Sequence, residues 1–165
     1  MNIQNRNTLN LFFIFLISHL IIWTIVPSVT NKNLPLDTIE HLAWGSNLDW
    51  GFPKHPPIVA FFSEIFFQIF GPQDWAFYLM PQIFIITAFY FIFKFSNEIF
   101  ENSLLSLLSV FLLEAIYFYN FITPEFNVNI CQLPFWTLVV YFSWKIYNSK
   151  EINFSDCLLL GIFSA

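Results

Sequence analysis

Four long apolar runs, at residues 9–29, 75–95, 104–122 and 130–147, limit this chain more than any other feature. Each holds about twenty residues, and at about 1.5 Å per residue a helix of that length crosses a hydrocarbon core of about 30 Å. The chain is 57% hydrophobic and 22% aromatic, is only 10% charged and carries 24 Phe. That is more apolar side chain than one soluble core of this size can bury. The runs therefore predict an all-α polytopic membrane protein. A fifth run, 157–165, is too short to cross and reads as the start of a further span, so the chain is expected to be a fragment of a longer protein. Residues 1–165 are then read as part of a single transmembrane domain.

The first run is long for a signal-peptide core, and no small-residue cleavage site follows it, which predicts an uncleaved signal anchor. His19 lies inside this run. It reads as a histidine hydrogen-bonded to another helix, with a proton relay as the second reading. Glu114 sits within the third run and is read two ways, as a functional carboxyl or as a protonated packing residue. Cys131 and Cys157 fall in apolar segments with no spacing pattern and read as inert. The net charge of −5 is spread over short loops and there is no basic run, so nucleic-acid binding has no support.

Most of the chemistry lies in residues 36–57, LDTIEHLAWGSNLDWGFPKHPP. Leu36, Ile39, Leu42 and Ala43 recur at helical spacing, with Asp37, Glu40, His41 and Trp44 between them. This predicts a short amphipathic helix on the membrane surface, with Trp44 and Trp50 at the interface. Gly51, Pro53, Pro56 and Pro57 predict irregular backbone. Residues 58–70 read as a second surface helix ending at Gly71-Pro72, with Glu64 on its wet face. A polar turn, TPEFNVN at 123–129, separates the third and fourth runs.

Placing the N-terminus in the cytoplasm puts Arg6, Lys94, Lys145 and Lys150 inside and Lys32 and Lys54 outside, as the positive-inside rule favours. Both polar loops then lie on the same, non-cytoplasmic face of the cell membrane. Together they offer Asp37, Glu40, Asp49 and Glu125, with Lys54 and His55 beside them. A carboxylate can deprotonate a hydroxyl, and a cation or bound metal can stabilise charge on a leaving phosphate. Asn127 and Asn129 offer amides for hydroxyl or phosphate groups. Loop charges of this kind are also often just solvated. Asp37 and His41, four residues apart, could share a metal on one helix face.

The segment from Asp37 to Pro57, with Trp44, LDWG at 48–51 and KHPP at 54–57, resembles the first outer loop of glycosyltransferase family 39-like proteins. These are the bacterial relatives of protein mannosyltransferases and of the lipid A aminoarabinose transferase. Phe70-Gly71, Asp74-Trp75, Pro124-Glu125-Phe126-Asn127, Leu133-Pro134 and Trp136 continue the resemblance, which covers roughly residues 10–165. It implies a GT-C-type helix bundle that moves a sugar, of hexosyl or pentosyl type, from a polyprenyl-phosphate carrier to a glycan, lipid or protein acceptor outside the cytoplasm. It further implies Asp37 as catalytic base, Glu125 as the second acidic residue, and Lys54 and His55 on the donor phosphate. Glu40, His41, Asn127 and Asn129 are read as supporting residues. Some relatives use a divalent metal and others do not, so the metal is left open. Many members carry adjacent Asp-Glu in the first loop, whereas here Asp37 is followed by Thr38. The second loop often has Asp where this chain has Glu125. The competing readings are a fragment of a membrane transporter or flippase, for which His19 and Glu114 would be the relay groups, and a truncated chain without activity.

Overall fold

A computed structural model describes residues 3–165, with side chains from Asn5 onward. Among the described residues there are seven α-helices and one 3-10 turn, and no strand. In chain order they are α1 (Ile3–Thr30), α2 (Leu36–Gly45), α3 (Pro57–Phe70), α4 (Asp74–Phe100), α5 (Ser103–Glu114), the 3-10 turn Tyr117–Tyr119, α6 (Val128–Asn148) and α7 (Phe154–Ser164).

Helix α4 is the hub and packs against α1, α3, α5 and α6. Its buried side includes Phe77, Met80, Ile85 and Phe89. Phe12 of α1 stacks on Phe93 of α4 at 4.1 Å between ring centroids. Along α1, Phe12, Leu16 and His19 face inward, at the i, i+4, i+7 spacing of one helical stripe. Leu11, Ile14, Ile17, Ile21 and Ile25 face outward and are exposed. Such a continuous apolar outer face is stable against hydrocarbon and costly against water. Two helices, α1 through Asn5–Thr30 and α4, are long and apolar enough to cross a membrane. Helix α6 has 21 residues, but Asn129, Gln132, Thr137, Ser143 and Lys145 leave it less apolar than those two.

The helix expected over 104–122 is cut short. Helix α5 ends at Glu114 after 12 residues, about 18 Å at 1.5 Å per residue. The Asn120 side chain folds back and its Nδ2 donates to the Glu114 carbonyl at 2.5 Å. It thereby occupies one of the carbonyls that a continuing helix would have bonded internally. Asn102 caps the other end of α5, its Oδ1 accepting from the Leu104 amide at 2.9 Å.

The two short helices α2 and α3 occur where the spacing placed them, but α2 presents an unexpected face to the protein. Its buried residues are Thr38, His41 and Gly45, while Leu36 and Ile39 are exposed. The polar side packs inward and much of the apolar side points away. Gly45 makes this packing possible, because a Cβ there would lie 2.8 Å from the Ala60 carbonyl oxygen of α3.

Candidate active site

Helix α2 begins at Leu36 with Pro35 as its N-cap, and no side chain of its own covers the first amides. A helix start left this way attracts an acceptor from elsewhere. Glu125, from the turn before α6, supplies it: the Asp37 amide donates to Glu125 Oε1 at 3.2 Å. One residue on, the same two segments are clasped again. Thr38 Oγ1 accepts from the Phe126 amide at 3.1 Å and lies 3.5 Å from the Phe126 carbonyl oxygen. Thr38 and Phe126 are both fully buried. Segments 88 residues apart in sequence are thus joined at the main chain.

His41 completes the clasp. Its Nδ1 lies 3.3 Å from the Phe126 carbonyl oxygen, which can only accept, so Nδ1 carries the proton. The buried Nε2 has no hydrogen-bond partner. Burial holds the His41 imidazole below its ordinary pKa, and the Phe126 carbonyl only partly offsets this.

The charged side of α2 faces the turn before α3. Asp37 and Glu40 are three residues apart on the helix and lie on the same side. Lys54 reaches both, with Nζ 2.7 Å from Glu40 Oε2 and 3.6 Å from Asp37 Oδ1. The hydrogen bond from Lys54 depresses the Glu40 pKa, and the same bond raises that of Lys54. The carboxylates remain accessible, with 29% of each side chain exposed. Pro56 and Pro57 fix the position of Lys54 and His55 by starting α3 directly after them.

Asp37, Glu40, Lys54 and Glu125 therefore converge. His55 belongs to an aromatic group next to them, its ring 5.6 Å from that of His41 and 5.9 Å from that of Trp44. Trp44 is itself stacked on Phe52 at 5.0 Å. Asn127 is used locally, its Oδ1 accepting from the Ile130 amide at 3.1 Å to cap α6. Asn129 is exposed in the first turn of α6, and its side chain makes no hydrogen bond among the described residues. Asp49 is exposed and accepts from the Trp50 amide next to it.

Asp37 and His41 lie one turn apart on α2 but meet different partners: Asp37 Oδ1 lies 3.6 Å from Lys54 Nζ, and His41 Nδ1 meets the Phe126 carbonyl, which leaves His41 Nε2 without a hydrogen-bond partner. Among the described residues, no three His, Cys, Asp or Glu side chains converge as a metal-ligand set. Sequence reasoning passed over Thr38 and the Phe126 main chain. The one available signal was the hydroxyl residue directly after Asp37. An open groove of about 500 Å³ runs up to Glu125, lined by Trp23, Val26 and Pro27 of α1 and by Tyr117, Phe121 and Pro124.

A family model described as dolichyl-phosphate-mannose-protein mannosyltransferase matches residues 54–165. The match includes Lys54, His55, Glu125, Asn127 and Asn129 and begins after Asp37, Glu40 and His41. No curated protein and no solved structure matches the chain. With more than half of its residues matched, the chain belongs to the dolichyl-phosphate-mannose-protein mannosyltransferase family of membrane glycosyltransferases.

Proposed function

We propose that this protein is a GT-C-type membrane glycosyltransferase that moves a sugar from a polyprenyl-phosphate carrier to an acceptor hydroxyl on the non-cytoplasmic face. The observation that carries this reading is the convergence of Asp37, Lys54 and Glu125 from three separate segments. In the proposed reaction, Asp37 takes the proton of the acceptor hydroxyl. The freed oxygen bonds to the anomeric carbon of the donor sugar as the bond from that carbon to the phosphate oxygen breaks. The departing phosphate keeps the electron pair, and the Lys54 ammonium, with His55 alongside, meets its charge. Lys54 leaves its carboxylate partners to do so, which an exposed ion pair permits at low cost. Glu125 holds the start of α2, and with it Asp37, in place.

Three further features support a lipid-linked substrate at a membrane face. The groove beside Glu125 lies between α1 and the loop after α5 and has a mixed lining, with Val26, Pro27 and Phe121 beside Thr30, Asn31 and Glu125, which suits a ligand with an apolar tail and a polar head. Lys94, a cation expected in the cytoplasm, lies towards the opposite end of α4 from the turn that follows α3. Lys94 is twenty residues beyond Asp74 on α4, about 30 Å at helical rise. The exposed apolar residues Leu36, Ile39 and Trp50 suit α2 and its loop to the interface.

The test is sugar transfer from polyprenyl-phosphate donors by membranes carrying Asp37→Asn. Transfer is expected to vanish while the protein inserts at normal levels. Transfer at the parent rate would remove Asp37 from the chemistry and the proposed reaction with it.

A further inference from the structure

The interior of the bundle holds a second set of polar groups that the proposed reaction does not use. His19 of α1, Gln82 of α4 and Thr123 are all buried, at 3%, 0% and 0% exposure, and Asn120 is nearly so. His19 Nε2 lies 3.1 Å from Gln82 Oε1. Gln82 Nε2 donates to Thr123 Oγ1 at 3.2 Å, and Thr123 Oγ1 donates to the Asn120 carbonyl at 2.6 Å. Asn120 Nδ2 donates to the Glu114 carbonyl at 2.5 Å. Glu114 Oε2 in turn lies 2.9 Å from His19 Nδ1, a contact off the hydrogen-bonding axis in which neither atom has another partner. The contacts close a ring through α1, α4, the end of α5 and the loop that follows it.

The polarity of this ring is fixed from one end. A carbonyl oxygen only accepts, so the single Thr123 hydroxyl proton is committed to Asn120. Thr123 Oγ1 must then accept from Gln82, which therefore presents its amide NH₂ to Thr123 and its oxygen to His19. That oxygen also only accepts, so His19 carries a proton on Nε2. Each group has a single orientation that satisfies its neighbour, and a turned group would leave a buried donor or acceptor unpaired.

We propose that His19, Gln82 and Thr123 are positioning residues that anchor the loop carrying Glu125 to the two long helices. Thr123 is two residues before Glu125, whose amide donates to the Ile122 carbonyl at 3.1 Å. A fixed Thr123 therefore fixes the short turn that presents Glu125 to α2. The inference rests on the reading of Glu125 as part of the active site. It assigns His19 to an anchor, and Glu114 to the same ring, in place of the relay that a transporter would need.

The experiment pairs hydrogen exchange with transfer kinetics on the full protein in detergent. Thr123→Val removes the hydroxyl at nearly constant volume and leaves the Gln82 amide without this acceptor, while the Asn120 carbonyl keeps only the Thr123 main-chain amide. Exchange in peptides covering 120–128 is expected to rise about ten-fold, with peptides covering 138–148 unchanged. The turnover number is expected to fall about ten-fold with the donor KM unchanged, and Thr123→Ser to restore both. Gln82→Met, which cuts the ring on the other side of Thr123, is expected to give the same pattern. Glu114→Gln keeps the side-chain length, leaves the contacts from His19 Nε2 through Gln82 to Thr123 in place, and is expected to leave loop exchange at the parent level. Parent exchange in both Thr123→Val and Gln82→Met overturns the anchor, as does raised loop exchange in Glu114→Gln. Raised loop exchange with undiminished transfer overturns the positioning role. If Glu125→Gln transfers at the parent rate while Thr123→Val still loosens the loop, the anchor stands and the active-site reading of Glu125 falls.

Discussion

Replacing Thr38 by Val tests the clasp between the two loops with little change in volume. Thr38 is fully buried, and its hydroxyl is the acceptor 3.1 Å from the equally buried Phe126 amide. Valine leaves that amide without a partner, at a cost of about 1–3 kcal/mol. The contact to the Phe126 carbonyl at 3.5 Å is at the outer edge of hydrogen bonding and adds little. Since about 1.4 kcal/mol is a factor of ten in an equilibrium constant, local opening of the clasp should increase by roughly 5- to 150-fold. Hydrogen exchange on the detergent-solubilised protein reads this directly in peptides covering 36–45 and 123–128. Thr38→Ser keeps the acceptor and is expected to stay near the parent. The Asp37 amide to Glu125 bond and the His41 contact would then hold the loops together alone, so sugar transfer should fall as well. Exchange within two-fold of the parent in both peptides would refute the claim that this hydroxyl ties the loops together.

Two further outcomes follow from the same geometry. Gly45→Ala forces a Cβ to 2.8 Å from the Ala60 carbonyl oxygen and 3.1 Å from Glu64 Cβ. The main chain of α3 has little room to yield, so α2 should pack less tightly by about 1–3 kcal/mol, measurable as a lower thermal midpoint or faster proteolysis in 31–57. His41 titrates below its ordinary value of about 6.5 because it is buried. The unfolded loop then binds the proton more readily than the folded one. The stability His41 contributes is complete above about pH 6.5 and is lost as pH falls towards and through its lower folded value. Exchange in 36–45 should accordingly rise on acidification in the parent, and this component should be absent in His41→Gln.

The sequence by itself determined which segments are helical and which residue types stand between them. Apolar runs and helical spacing are local properties, and they located α1, α2, α3, α4 and α6 without knowledge of any neighbour. The residue types in the two polar loops were equally legible, since Asp37, Lys54 and Glu125 stand out from apolar surroundings. Only the tertiary structure decided where α5 stops, because that end depends on Asn120 turning back onto the Glu114 carbonyl. A run of apolar residues continuing to Ile122 gives no hint of it. The pairings were decided there too. Lys54 meets Glu40 most closely, His41 and Thr38 turn inward to Phe126, and His19 finds Gln82. The reason is common to all of them. A hydrophobic pattern states that a face must leave water, whereas a buried polar atom is satisfied by whichever partner the packing of distant segments brings within about 3 Å.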